Sequence, residues 1–227
     1  MALNTYANLL TALASYSIKT NETAHWPDHV LLAEADLNSR IAQAYQAGVL
    51  VTPQMQTSTA TISDDRSSVP ADFLAPVAFE LLSTPKRRLQ YVRPEELARM
   101  REREEEIELE QEWEFDSTPA PPKYYTITAT GEAEEFDYFP DPEASYTASL
   151  TYLARIDPIA SASTNWLLTR HPGCYLYGAL VQYGIKTLDE RLPLWREEYE
   201  RAVAAMLSAF PRETQKSRLR TDLPTVG

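Results

Sequence analysis

Between Leu150 and Leu180 the chain must pass from strand to turn to helix, break, and enter a second helix, within the run LTYLARIDPIASASTNWLLTRHPGCYLYGAL. The aromatic segment SLTYLARI reads as a strand and reaches Asp157-Pro158, where neither strand nor helix can continue. A Ser/Thr cluster follows, and Thr164 is placed to cap a helix whose apolar face begins at Trp166, Leu167 and Leu168. His171-Pro172-Gly173 ends that helix, because a residue before proline is pushed out of the helical region. A second apolar helix is predicted from Cys174-Tyr175, carrying Leu176, Tyr177, Ala179, Leu180 and Tyr183. Sheet and helical parts are therefore expected to join in this stretch.

A chain of 227 residues can form one large domain or two small ones with a real core. Its hydrophobic content of 44% fits a soluble globular protein rather than a disordered one. No window approaches the roughly twenty apolar residues that span a bilayer, and MALNTYANLL lacks the pattern of a signal peptide. A single cysteine excludes an internal disulfide and fits a reducing compartment; Cys174 sits in an apolar aromatic context that suits burial rather than nucleophilic chemistry. The charge of −12 is uneven: residues 101–150 hold 15 Asp/Glu against 3 Lys/Arg, and the remainder balances. No basic stripe for nucleic acid precedes the C-terminal tail. An acidic surface suits a channel wall that DNA passes without sticking, and it equally serves solubility.

Taken in order, Thr5–Ile18 reads as a helix with Asn4 or Thr5 as cap. Pro27 opens a second helix to about Gln46, with Val30, Leu31, Ala33, Leu37, Ile41 and Ala44 on one face and Gly48 ending it. Strands are predicted over 49–62, 77–82 and 89–92, with 64–68 a loop and 72–74 an anchored segment between Pro70 and Pro76. Pro94-Glu95-Glu96 opens a helix leading into RMREREEEIELEQEWE. Strands over 124–130, 134–139 and 145–156 complete one small sheet domain, and a last long helix starts at Asp189 with Leu192, Leu194, Trp195, Tyr199, Val203, Met206 and Leu207 on its apolar side. The expected fold is α+β: a helical bundle built from both ends of the chain (1–46 and 160–210), an inserted antiparallel β domain (47–159), and an extended tail over 211–227.

The search for chemistry returns little. His25 and His29 are four residues apart, but a zinc-protease helix needs a glutamate after the first histidine, and here Trp26 and Pro27 follow it. There is no G-x-S-x-G elbow and no glycine-rich phosphate loop among six glycines. Asp64, Asp65 and Asp72 could serve as a hydrolase carboxylate pair, although Asp72 is expected to brace its own turn. The Glu102–Glu114 run lacks the ligand alternation of a calcium loop. No cofactor and no metal ligand are expected. Thirteen Tyr and four Trp suit protein interfaces.

A resemblance adds to this. The run N-W-L-L-x-x-H-P-x-x-Y-L-Y-G-A-L from Asn165, after Y-x-x-x-I-x-P-I from Tyr152, is similar to the adaptor proteins at the head-to-tail connector of tailed bacteriophages. So are T-Y-A-N-L-L from Thr5, W-P-D-H-V-L-L-A-E-A-D-L-N-S-R from Trp26, Val69-Pro-Ala-Asp-Phe73 and Lys123-Tyr-Tyr-Thr-Ile-Thr128. Together they cover most of residues 4–205, and the acidic run from Arg101 to Asp116 matches nothing in that pattern. The resemblance implies a structural virion protein without enzymatic activity: a dodecameric ring at the head–tail interface, assembled in the host cytoplasm, joining the portal to tail or nozzle proteins. Double-stranded DNA would pass through it without sequence-specific binding, and no membrane is involved. It also implies that the tail residues Arg212, Lys216, Arg218 and Arg220 bind the portal. The rival readings are a tail-completion or stopper protein and a tail-associated hydrolase using Asp64, Asp65 or Asp72.

Overall fold

The computed structural model describes residues 3–17, 24–110, 121–131 and 133–212. Among them the helices are α1 (Tyr6–Ser17), α2 (Trp26–Gln46), α3 (Pro94–Glu110), α4 (Ile159–Ala162), α5 (Trp166–Arg170), α6 (Pro172–Thr187) and α7 (Leu192–Ser208). The strands are β1 (Met55–Ile62), β2 (Arg66–Ser68), β3 (Phe73–Leu81), β4 (Arg87–Arg88), β5 (Gln90–Tyr91), β6 (Tyr124–Thr130), β7 (Ala133–Phe139) and β8 (Tyr146–Ala154). The protein is α+β. It divides into two compact units, residues 1–52 with 156–227 and residues 53–155.

In the second unit, two four-stranded sheets form where the sequence predicts one: β1-β8-β3-β4 and β2-β7-β6-β5. The difference comes from short segments that change partner. Arg66–Ser68, expected as loop, pairs antiparallel with β7. The strand expected over 89–92 shortens to Gln90–Tyr91, which pair in parallel with β6, and the preceding Arg87–Arg88, not expected as strand, pair with β3 on the other side of the buried Leu89. Strand β3 starts at Phe73 rather than beyond Pro76 and accommodates that proline by register shifts on either side of it. Side chains of both sheets make one core of Ile62, Phe79, Leu81, Phe136, Tyr138 and Leu150 with their neighbours. Phe79 and Phe136 meet at 5.2 Å between ring centroids, and burying each such side chain contributes about 1.5–3 kcal/mol.

In the first unit, α6 packs against α1, α2, α5 and α7. Gly178 permits the close approach, since a Cβ there would lie 3.1 Å from both Ala33 Cβ and a Tyr199 ring carbon. Trp26, Tyr183 and Trp195 stack in sequence at 5.1 and 6.0 Å, closing one end of this core. Two details correct the sequence reading. Asn165, not Thr164, caps α5: its Oδ1 accepts from Leu168 N at 2.9 Å. Leu31 and Leu194, placed on buried faces, are 62% and 57% exposed. Leu31 follows Val30 by about 100° around α2, so only one of the two can face α6. α6 opens at Pro172 and α7 at Leu192, slightly displaced from the expected starts.

A buried polar knot holds the turn-rich stretch after β8. Glu34 and Asn38 lie one helical turn apart on α2. Glu34 Oε1 accepts from Ile159 N at 2.8 Å and from Tyr175 OH at 2.9 Å, and Asn38 Oδ1 accepts from Ile156 N at 2.9 Å. Asn165 Nδ2 donates to Tyr175 OH at 2.7 Å and to Asp157 O at 3.0 Å. Backbone groups that proline and the turn deny to secondary structure are satisfied by side chains instead. Burial raises the Glu34 pKa above its usual 4.5, and the bonds from Ile159 and Tyr175 pull it back down.

A carboxylate whose pKa is raised by folding costs stability once pH rises above its unfolded value, and costs nothing well below it. Glu34→Gln keeps an acceptor for both donors and removes that cost. The variant is therefore expected to equal or exceed the parent in Tm at pH 7, with the advantage shrinking as pH is lowered through 4.5. Glu34→Leu strands both donors and should lose about 2–3 kcal/mol at pH 7 in urea unfolding.

Candidate interaction surfaces

The residues that suggested catalysis are placed apart from any reactive grouping. His25 precedes α2 and lies 3.9 Å from Asp28, while His29 is buried against Trp26 and Tyr183. Cys174 is buried, and that burial pushes its thiol up to about 12. Asp72 accepts from Tyr152 OH at 3.0 Å through its side chain, and its carbonyl accepts from Arg155 N at 2.6 Å; these bonds tie it to the distant β8 segment, whereas the sequence predicts that it braces its own turn. Asp64 accepts from Ser63 Oγ at 3.1 Å, and Asp65 sits 3.9 Å from Arg66. Among the described residues no group of three or more His, Cys, Asp or Glu side chains is arranged to hold a metal ion. No described helix is long and apolar enough to cross a membrane.

Elements with room for partners are more distinct. The acidic helix α3 is rooted by buried Leu97 and by Arg101, which forks onto the buried Asp137 at 2.6 and 3.2 Å. The same guanidinium donates to Tyr138 O at 3.1 Å and to Asp141 at 3.2 Å. Hydrogen bonds to Asp137 are the largest cause of the upward shift of the Arg101 pKa. One arginine thus holds a helix of like charge against the sheet that carries β7.

A profile of the SU10 adaptor protein family matches residues 4–223, nearly the whole chain. The chain belongs to that family. It is a phage head–tail adaptor and a structural virion component. A comparison with curated proteins finds no match. The match also runs through 101–116, the segment on which the sequence resemblance is silent.

For an adaptor the informative surfaces are exposed apolar side chains and free chain ends. Leu31 and Leu32 on α2 are 62% and 52% exposed, and Ile185, Leu188 and Leu194 are exposed around the α6–α7 corner. Leu188 is 86% exposed and left-handed (φ 51°), a conformation that disfavours a branched side chain by about 1–2 kcal/mol. The adjacent leucines at 31 and 32 were a sequence signal for exposure; the left-handed Leu188 was not. Of the four tail residues expected to bind a partner, Arg212 is described: Leu50 N donates to Pro211 O at 2.9 Å, and Val49 bridges to Arg212. Lys216, Arg218 and Arg220 lie outside the described residues.

Arg101→Ala should leave Asp137 buried without its cation and lower stability by about 2–4 kcal/mol, with earlier proteolytic cleavage after Arg99 or Arg103 than in the parent. Arg101→Lys, which cannot fork, should fall between the two.

Proposed function

We propose that this adaptor forms a closed ring, dodecameric as the family resemblance implies, that joins the portal to tail or nozzle proteins and surrounds the DNA ejection channel. The reading is carried by one observation beside the family match: the first unit exposes two unlike sets of large apolar residues. A closed head-to-tail ring needs two different faces on every copy, whereas a two-fold dimer needs one. We assign Leu31 with Leu32 to one such face, and Ile185, Leu188 and Leu194 to the other. Residues 1–46 with 160–210 are assigned to the ring and 47–159 to the tail side or lumen. The acidic run would keep DNA from adhering to the wall. The arm beginning at Arg212 is assigned to the portal, and its root pinned to Val49 gives it a fixed point of departure.

The native mass of the protein alone and with the portal of the same genome tests the reading; a ring of defined copy number on the portal is expected, and a chain that ignores the portal would refute it. Leu31→Asp and Leu188→Asp should each abolish rings. Because each variant keeps one intact face, mixing them should give dimers and nothing larger. Leu188→Gly should weaken the ring while raising Tm, since glycine takes the left-handed conformation freely.

Deleting residues 213–227 should abolish portal binding with an unchanged circular dichroism spectrum. Unaltered binding would sink the docking role of the arm.

A further inference from the structure

The second unit carries a long strand edge to which no described strand is paired. β1 is bonded to β8 along all eight residues, Met55↔Leu153 to Ile62↔Tyr146, and is the outer strand of its sheet. Its sequence, MQTSTATI, has no charge, proline or glycine, the devices that keep strand edges from pairing. The other outer strands are short: β4 has two residues, both arginine, β5 has two, and β2 has three. Leu82 N donates to Thr147 O, which fixes the alternation: Ala148, Leu150 and Tyr152 turn their backbone groups toward β1. Their partners Ala60, Ser58 and Gln56 are thereby used, and Thr57, Thr59 and Thr61 direct N–H and C=O groups away from the sheet.

A cavity of about 280 Å³ opens beside this edge, lined by Ser58 and Ala60 of β1, Ser67 to Pro70, and Phe79, Phe136 and Leu150. It exists because β1 places small side chains at 58 and 60, where its inward row meets the core that Ile62 fills further along. Outside, Thr57, Thr59 and Thr61 stand opposite Thr151, Ser149 and Thr147. Acid gathers at one end only: Asp64 and Asp65 follow β1, Glu134 and Glu135 flank the cavity-lining Val69 and Ser68, and the one cation among them, Arg66, lies 3.9 Å from Asp65 and from Glu135.

The geometry points to β1 as a docking edge for an extended segment of another protein of the particle, added as a further strand of the sheet. The segment alternates: hydroxyl or other neutral side chains beside Thr57, Thr59 and Thr61, one large aliphatic or aromatic side chain in the cavity, and basic residues at the end beside Asp64 and Asp65. In the sequence of the chain's own end, Lys216, Arg218 and Arg220 are spaced two apart, whereas the acid on this edge stands at one end and Thr57, Thr59 and Thr61 are neutral, so charge complementarity favours a different protein whose basic residues are gathered at one end.

The test uses the full-length protein and the peptide Lys-Arg-Thr-Leu-Thr-Ser-Thr, acetylated and amidated, followed by hydrogen exchange. The amides of Thr57, Thr59 and Thr61 should exchange rapidly alone and slow on adding the peptide; replacing its leucine by glycine should weaken binding about tenfold. Ala60→Phe, which fills the cavity, and Thr59→Pro, which removes an outward N–H without touching the β8 ladder, should each abolish the protection. Thermal unfolding checks that both variants remain folded. Protection that survives in folded Ala60→Phe, or absence of protection in the parent at millimolar peptide, would overturn the proposal. Tighter binding by a peptide of residues 213–227 would overturn it in favour of a second copy. Concentration-dependent protection of β1 without peptide would overturn it in favour of pairing between copies.

Discussion

One buried carboxylate organises the first unit. Glu34 reaches across 125 residues of sequence to Ile159 and across 141 to Tyr175, so a single side chain on α2 positions the chain after β8 and fixes α6 beside it. Asn38 and Asn165 extend the same device to Ile156, Asp157 and Leu168. The arrangement works because the backbone N–H groups of Ile156, Ile159 and Leu168, which Asp157-Pro158 and the short helices leave without a helical partner, each meet a side-chain acceptor. Its cost is the desolvation of a charge. Apolar packing alone would hold α2 against α6, but it would not specify which residue of the irregular stretch lies where.

The distribution of charge separates two kinds of surface. Residues 53–155 carry 21 Asp/Glu against 10 Lys/Arg, whereas the rest of the chain carries 12 against 11. The near-neutral unit is also the one that exposes Leu31, Leu32, Ile185, Leu188 and Leu194. Association between like copies is least opposed where net charge is small and apolar area is available. Acid is concentrated instead around α3, whose attachment through Arg101 uses one cation on a buried carboxylate and leaves Glu102 and Glu104 exposed. Arg40 does similar work on the neutral unit by bridging Asp36 and Glu200 at 3.0 and 2.6 Å.

Much of this was legible in the sequence, and the failures have particular causes. Proline and glycine marked the starts of α2 and α3 and the break at His171-Pro172, because those residues act through local sterics alone. Periodicity placed the long helices, but it could not decide between Val30 and Leu31, since both are apolar and only the position of α6 chooses. The second sheet was not legible: its outer strands β2 and β5 have three and two residues, too few to show alternation, and their pairing is decided by partners distant in sequence. The capping residue of α5 was misplaced by one because Thr164 and Asn165 are both good caps, and only the bonds from Asn165 to Tyr175 and Asp157 distinguish them. Gly178 entered as part of a resemblance, and the 3.1 Å at which a Cβ there would meet Ala33 and Tyr199 supplies the physical reason for it. The tail residues Lys216, Arg218 and Arg220 are known from sequence alone.

Leu188 shows what kind of protein the fold serves. A helix ending in a left-handed residue ordinarily uses glycine or asparagine there, because a branched side chain is strained and a free glycine is not. This chain instead places an aliphatic side chain in that position and leaves it 86% exposed, where it adds nothing to the core of its own copy. The left-handed turn lets the N–H groups of Leu188 and Asp189 both donate to Gly184 O, so its strain is offset in the backbone, while the side chain has no covering surface in its own copy. In the proposed ring a neighbouring copy covers that leucine, and the apolar area that the monomer leaves in water is buried on association. On that proposal the ring would be more stable than its separate copies, by the area that each Leu188 withdraws from water.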